Sequence, residues 1–328
     1  MKAPAFWYPR EGEDTSPLIP NLLSFLSPAW RAGAFLRRAV ARPYRAKVPL
    51  ICIGNAVAGG AGKTPTALAV ARILQKAGHK PAFITRGYGG RGNVTLVDPA
   101  QHSAADVGDE ALLLAAVAPT WAGYSRAAAA RQAEKFASVI LMDDGFQNPH
   151  IAPTASLLVF DGPSGIGNGL VIPAGPLREP FAEAVARADF LVIIGEDKHK
   201  LAARAGKPAL HAHIHPNPLP PGFPREGKFV AFAGIARPEK FYATIRELGL
   251  DLAGVADFPD HHPYTAADLD YLQLRAEEQG ARLLTTEKDA MRLPPDFLAD
   301  ILTLPVTLVF DEADAESRLV NLCRSPSF

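Results

Sequence analysis

The chain has 328 residues, nearly half of them apolar, enough for about two domains at roughly 150 residues each. Its 34 Lys and Arg balance 34 Asp and Glu, which excludes a nucleic-acid protein held by bulk charge. Two cysteines, Cys52 and Cys323, make no disulfide framework, no run reaches the roughly 18 apolar residues of a membrane span, and the N-terminus lacks the layout of a secretory signal, so a cytoplasmic protein is expected.

Residues 1–47 read as an amphipathic helical hairpin. Leu18, Ile19, Leu22, Leu23 and Leu26 recur at helical spacing, with Pro17 and Pro28 at helix starts, and a second stretch from about Ala29 carries Trp30, Phe35 and Leu36. Arg31, Arg37, Arg38, Arg42, Arg45 and Lys47 give it a basic end. From Val48 the texture becomes alternating α/β. Apolar runs at 48–53, 81–85, 139–142, 157–160 and 190–194 have strand length, and helical patterns fill 64–76, 109–117 and 125–136. Such alternation predicts a mostly parallel sheet of the P-loop NTPase type, with helices on both faces, over 48–207.

Pro216, Pro218, Pro220, Pro221 and Pro224 crowd the next stretch, so 208–227 is expected to be a linker. A second, smaller α/β domain follows over 228–304, with strands at 229–233, 252–256 and 282–285 and helices at 238–248 and 266–279. The run 306–310 carries the chain back toward the first domain, to which 311–328 returns.

The segment Asn55-Ala56-Val57-Ala58-Gly59-Gly60-Ala61-Gly62-Lys63-Thr64 follows a strand and opens a helix, the context a phosphate loop needs. Glycines let successive N–H groups curl inward around phosphate oxygens, and the helix N-terminus adds partial positive charge. Lys63 is expected to reach the β- and γ-phosphates of ATP, and the Thr64 hydroxyl to ligate Mg²⁺. The strict motif has glycine where this chain has Val57; Gly59 and Gly60 supply the flexibility instead.

A strand ending in Asp143-Asp144-Gly145 supplies the second half of such a site, since adjacent acids repel unless a cation lies between them. Asp109 and Glu110 open a helix, where the pattern allows either an acidic first turn that complements the helix dipole or a general base with a metal-side carboxylate. Asp260-His261-His262 is either a solvated loop or a histidine tuned by a carboxylate. His211, His213 and His215 alternate along a strand, so they share one face, either a metal site or, more simply, the solvent-facing side of a linker strand whose spacing follows from period two.

Taken in order, these motifs resemble the tetraacyldisaccharide 4'-kinase family over nearly the whole chain. The resemblance is carried by Phe6-Trp7-Tyr8, the phosphate loop through Pro65, Arg86-Gly87-Tyr88-Gly89-Gly90, Gly108-Asp109-Glu110 and Asp143-Asp144-Gly145-Phe146-Gln147. Gly167-Asn168-Gly169, Pro173-Ala174-Gly175-Pro176-Leu177-Arg178-Glu179-Pro180, Asp260-His261-His262 and Thr285-Thr286-Glu287-Lys288-Asp289 complete it. It implies transfer of the ATP γ-phosphate to the 4'-hydroxyl of a tetraacyl glucosamine disaccharide 1-phosphate, in lipid A synthesis, by a peripheral enzyme on the cytoplasmic face of the inner membrane.

By matching motif it implies Asp109 as catalytic base with His261 as partner, and Lys63 on phosphate. Thr64, Glu110, Asp143 and Asp144 would serve Mg²⁺, and Arg86 and Arg178 would steady phosphate charge. The family continues Asp-Asp-Gly-Phe-Gln with His where this chain has Asn148, and His150 lies two positions on. A four-chain lipid does not leave a bilayer cheaply, so the N-terminal hairpin is expected to lie on the membrane surface. No nucleic acid and no obligate protein partner are expected. The competing class is a nucleotide-switch ATPase or GTPase; the chain has no Asn-Lys-x-Asp guanine motif.

Overall fold

The computed structural model describes residues 4–9, 18–87, 94–219 and 222–324. Pro17, Tyr88, Gly89, Gly90, Pro220 and Pro221, each given a part in the sequence reading, lie outside the described residues.

Among the described residues thirteen strands form two sheets. The first sheet uses β1 (Leu50–Gly54), β2 (Pro81–Thr85), β3 (Thr95–Leu96), β4 (Thr120–Ala122), β5 (Val139–Asp143), β6 (Ala155–Asp161), β7 (Phe190–Ile194) and β8 (Ala209–Pro216). The second uses β9 (Lys228–Ala233), β10 (Asp251–Asp257), β11 (Ala281–Thr286) and β12 (Leu302–Leu304), after which β13 (Val306–Phe310) rejoins the first. The order of the large sheet is β13-β8-β7-β6-β1-β5-β2-β4-β3. It is parallel apart from the outer pairs β13–β8 and β3–β4. The four-stranded sheet, β10-β9-β11-β12, is parallel throughout.

Unbroken apolar strands make sense only if both faces are covered. In the large sheet Ile140, Met142, Leu158 and Phe160 pack on one side, while Leu141, Leu157 and Val159 pack on the other. The helix Lys63–Lys76 covers the second side with Ala67, Val70, Ala71 and Leu74. Helices Arg126–Ala133 and Phe181–Arg187 cover the first. The small sheet repeats the pattern, with Phe229 and Ala231 on one face and Val230 and Phe232 on the other.

One expected boundary shifts. The 208–227 linker contains β8, paired parallel to β7 and antiparallel to β13. Leu210 and Ala212 are buried between the histidines, so period-two alternation outweighs the proline-rich composition that begins with Pro216. His211 meets Glu312 and His213 meets Asp311, both through Nδ1. The short strands β3, β4 and β12 and the helices Ala104–Val107, Phe181–Arg187 and Leu201–Ala205 were not expected, being too brief to show a period.

The N-terminal helices Leu18–Ser24 and Ser27–Val40 dock through one side. Trp30 Nε1 donates to Arg178 O at 2.9 Å, Arg31 pairs with Glu183 and Arg38 with the buried Glu179. Their apolar residues face outward instead: Phe25 is 81% exposed and Phe35 70%, with Leu18, Leu22, Leu36 and Val40 beside them. No helix among the described residues is long and apolar enough to cross a membrane.

Candidate active site

The parallel register sets Ile53 of β1 opposite Asp143 of β5, so the glycine-rich loop and the acidic strand end leave the sheet at one edge. Within the loop, Ala56 O accepts from Arg178 N and Ala58 N donates to Pro176 O at 2.8 Å, and Val57 is buried beneath this pairing. Residues 56–58 are thus tied to the 176–178 segment, and the curl falls to Gly59–Thr64. Valine is accommodated where the strict motif has glycine because its side chain enters the core. Gly62 cannot be replaced so easily: its φ is +83°, and a Cβ there would stand 2.3 Å from Ile194 Cδ1. It caps the helix that begins with Lys63 and Thr64, whose first N–H groups have no intrahelical acceptor.

Lys63 Nζ lies 3.6 Å from Asp144 Oδ1, and Arg178 Nη1 lies 3.3 Å from the same oxygen. Burial works to raise the Asp144 pKa, but Lys63, Arg178 and Arg126 outweigh it and hold the carboxyl below its ordinary value. Asp143 behaves oppositely. Fully buried, with Glu110 adding negative charge against Lys63, its carboxyl is pushed up to about 7. Thr64 Oγ1 donates to Asp143 Oδ2 at 3.1 Å, while Oδ1 is buried with no protein donor.

An unpartnered carboxylate oxygen beside a hydroxyl, with a second acid near, fits a divalent cation. Among the described residues no three His, Cys, Asp or Glu side chains converge into a cage. Mg²⁺ is usually held by one or two carboxylates plus phosphates and waters. Of the four expected ligands, Thr64 and Asp143 are arranged for it; Asp144 and Glu110 are engaged by cations of the protein.

The second sheet contributes the other half. His261 Nδ1 stands 3.1 and 3.0 Å from the two oxygens of Asp109, and Arg292 Nε lies 3.2 Å from Oδ2. Burial raises the Asp109 pKa, but His261, Lys288 and Arg292 together bring it below the ordinary value. The bond to Asp109 raises the His261 pKa, with burial and Lys288 opposing. His261 has φ +59° and Asp144 +49°, left-handed conformations that cost energy in non-glycine residues and cluster at functional sites. His262 instead stacks on Phe258 and bonds Asp268, which distinguishes the two histidines. A Cβ at Gly60 would stand 2.9 Å from Ala236 Cβ of the second sheet's domain. Asp161, at the end of β6, pairs with Arg237 and Lys240 across the same boundary.

Arg86 is exposed, 5.7 Å over the Tyr124 ring, and makes no direct contact with the acids among the described residues. Arg126, which the sequence reading missed, is buried nearer them. Burial pushes its pKa down to about 10, with Asp144 and Asp143 acting against this. Gln147 also gains a role, since its Nε2 donates to Asn55 O and Glu179 Oε1 and its Oε1 accepts from Arg178. Asn148 Oδ1 accepts from His150 N at 2.8 Å within its own turn, and His150 is exposed.

A glycine loop between a central parallel strand and a helix, with an acidic strand end alongside, defines a P-loop α/β protein. Comparison with known proteins narrows this. The family model Tetraacyldisaccharide-1-P 4'-kinase matches residues 19–324. A tetraacyldisaccharide 4'-kinase of Rhodospirillum centenum is 48% identical over 98% of this chain and 96% of its own length. One from Parvibaculum lavamentivorans is 50% identical over 89% of this chain and 87% of its own. The chain belongs to the tetraacyldisaccharide 4'-kinase family. The fold is also that of LpxK from Aquifex aeolicus, solved in complex with ATP, at a TM-score of 0.70 and 22% identity over 94% of this chain and 97% of that one.

Proposed function

We propose that the protein transfers the γ-phosphate of ATP to the 4'-hydroxyl of tetraacyldisaccharide 1-phosphate at a membrane surface, on the cytoplasmic side of the inner membrane. The observation that carries this reading is a carboxylate–histidine pair that joins the two domains near a phosphate-loop site. Thr64 and Asp143 stand 3.1 Å apart in that site, Asp109 and His261 meet at 3.0 Å, and Glu110, next to Asp109 in the chain, is near enough for its charge to help push the Asp143 pKa up. A switch ATPase needs the first set; a base beside it suits an acceptor hydroxyl.

In this reading the N–H groups of Gly59–Thr64 and the Lys63 ammonium hold the phosphates. Thr64 and Asp143, with Glu110 and Asp144 behind them, would hold Mg²⁺, which when bound neutralises charge on the phosphates. Asp109 takes the proton of the acceptor hydroxyl as that oxygen bonds to phosphorus and ADP departs, a role that general-base catalysis typically rewards with about 10²–10⁴ in rate. Arg178, and Arg86 from the rim, steady phosphate charge. Burial of the site between two domains keeps water from the transferring group.

The outward apolar face of the N-terminal helices, with arginines behind it, suits the interface of an anionic bilayer. There the lipid's acyl chains need not be exposed, at about 0.8 kcal/mol per CH₂.

The deciding experiment is transfer of ³²P from γ-labelled ATP to tetraacyldisaccharide 1-phosphate in mixed micelles, with Lys63→Ala as control. Labelled lipid that disappears in the variant is the expected result. Free phosphate without labelled lipid would replace the kinase with a nucleotide-hydrolysing switch.

A further inference from the structure

We infer that Lys288 is a positioning residue that fixes the tautomer of His261, making the imidazole a donor to Asp109 and leaving Asp109 as the group that takes the acceptor's proton. The inference rests on the kinase reading above. Lys288 Nζ stands 3.2 Å from His261 Nε2. A lysine ammonium has donors and no acceptor, so Nε2 must present its lone pair. The ring proton then belongs on Nδ1, the nitrogen 3.0–3.1 Å from both Asp109 oxygens. An imidazole so held donates to the carboxylate, and its other nitrogen is already engaged.

The ammonium has reasons to be where it is. Glu110 Oε1 lies 3.3 Å from Nζ and Asp260 Oδ1 3.6 Å, so two carboxylates flank it. Its neighbours in sequence hold the turn rigid. Glu287 Oε2 accepts from Val306 N at 3.1 Å. Asp289, fully buried, accepts from Gly234 N, Tyr264 Oη and Thr286 Oγ1. Of the three residues Glu287-Lys288-Asp289, the outer two are scaffold and the middle one reaches the site. Asp260 Oδ1 also stands 3.9 Å from His261 Nε2. Without Lys288, that carboxylate would draw a proton onto Nε2 and turn the ring's lone pair, or a second charge, toward Asp109.

The step then balances simply. The acceptor O–H bond breaks and its proton passes to an Asp109 oxygen. The freed electron pair bonds the γ-phosphorus, and the bond from phosphorus to the bridging oxygen breaks, with its pair leaving on ADP.

The test uses the full-length protein labelled with ¹⁵N-histidine, the His261 signals being assigned by their loss in His261→Gln. In alkaline buffer, above the raised pKa of His261, the wild type is expected to show the neutral Nδ1–H tautomer. Lys288→Met is expected to lose it and to lower kcat about 10- to 100-fold, the usual cost of removing an orienting partner, with KM for ATP unchanged. Lys288→Arg, which keeps a donor, should recover most of both. An Nε2–H tautomer in the wild type would overturn the inference, as would a Met variant with wild-type tautomer and kcat. A raised KM for ATP at unchanged kcat would make Lys288 a phosphate ligand instead. If the wild type labels no lipid, the kinase reading falls, while the tautomer of His261 still decides the role of Lys288. Should the Met variant not fold, the wild-type spectrum and the Arg variant remain decisive.

Discussion

Thr64 Oγ1 donates to one oxygen of Asp143 at 3.1 Å, and the other oxygen of that carboxylate is buried with no protein donor. The pair joins the first turn of the phosphate-loop helix to the end of β5. It leaves an acid whose ionised form the protein alone does not satisfy.

A pH dependence follows from this. Burial, with Glu110 adding to it, lifts the Asp143 pKa from 3.8 to about 7. An acid with a higher pKa folded than unfolded binds more protons in the folded state, so its contribution to stability falls as pH rises from about 4 through 7. Asp143→Asn, which mimics the protonated acid, is expected to stabilise the protein in EDTA at pH 8, by about 4 kcal/mol, with the gain shrinking through pH 5 and vanishing only below about pH 4. Thermal unfolding across that range checks it; a gain of equal size at every pH would show that charge is not the cause.

Asp109 offers a separation of binding from chemistry. Asp109→Asn keeps the shape of the side chain and removes its basicity, so kcat is expected to fall about 10²–10⁴-fold at unchanged ATP affinity. A base acts mainly in the transition state. Single-turnover transfer and equilibrium ATP binding measure the two sides. Parallel losses in both would assign Asp109 to folding or to metal binding.

What was legible in the sequence is what local pattern encodes. Long buried strands such as Pro81–Thr85 and Phe190–Ile194, and the helix Ala266–Gln279, stand where their periods place them. The phosphate loop and Asp143 also declared themselves, because glycine and acid at strand ends break an apolar run. Asp109 and His261 could be paired only through the family resemblance, since 152 residues separate them and both fit ordinary surface roles when read alone. Arg126 gave no signal, and Lys288 none beyond its place in the Thr285–Asp289 motif: a buried cation is recognised by the acids that fold around it, and those come from other elements of the chain. The shifted boundary has the same origin: the alternating histidines gave the strand, but its place in the large sheet follows only from β7 and β13 beside it.

Gly62 tests the loop itself. A methyl group there meets Ile194 Cδ1 at 2.3 Å and forces a left-handed backbone on an L-residue. Gly62→Ala is expected to destabilise the fold by about 1–3 kcal/mol and to weaken ATP binding, because the curl that aims the N–H groups would shift. In the background of Ile194→Ala, which itself opens a cavity in the core, Gly62→Ala should cost less, since the clash is gone and the backbone strain is left. Urea unfolding of the two single variants and the double variant measures the difference, and an unchanged cost would place all of it in the backbone.

The N-terminal helices make the last case. Phe25 and Phe35 are 81% and 70% exposed, while the polar contacts of Trp30, Arg31 and Arg38 hold the hairpin on the domain from its other side. Replacing both phenylalanines by Glu should therefore leave the fold and the hydrolysis or transfer of small soluble acceptors untouched. Each Phe that enters the interface contributes about 1.5–3 kcal/mol, so loss of two should reduce binding to anionic vesicles by at least about a hundredfold, one factor of ten being about 1.4 kcal/mol. The KM for a bilayer-embedded lipid should rise in step, with kcat little changed. Co-sedimentation with vesicles of mixed phosphatidylglycerol and phosphatidylethanolamine gives the first number and the micelle-to-vesicle comparison of KM the second. Unchanged sedimentation, also on removing residues 1–45, would mean that the hairpin only covers the Arg178 segment and that the lipid is met elsewhere on the surface.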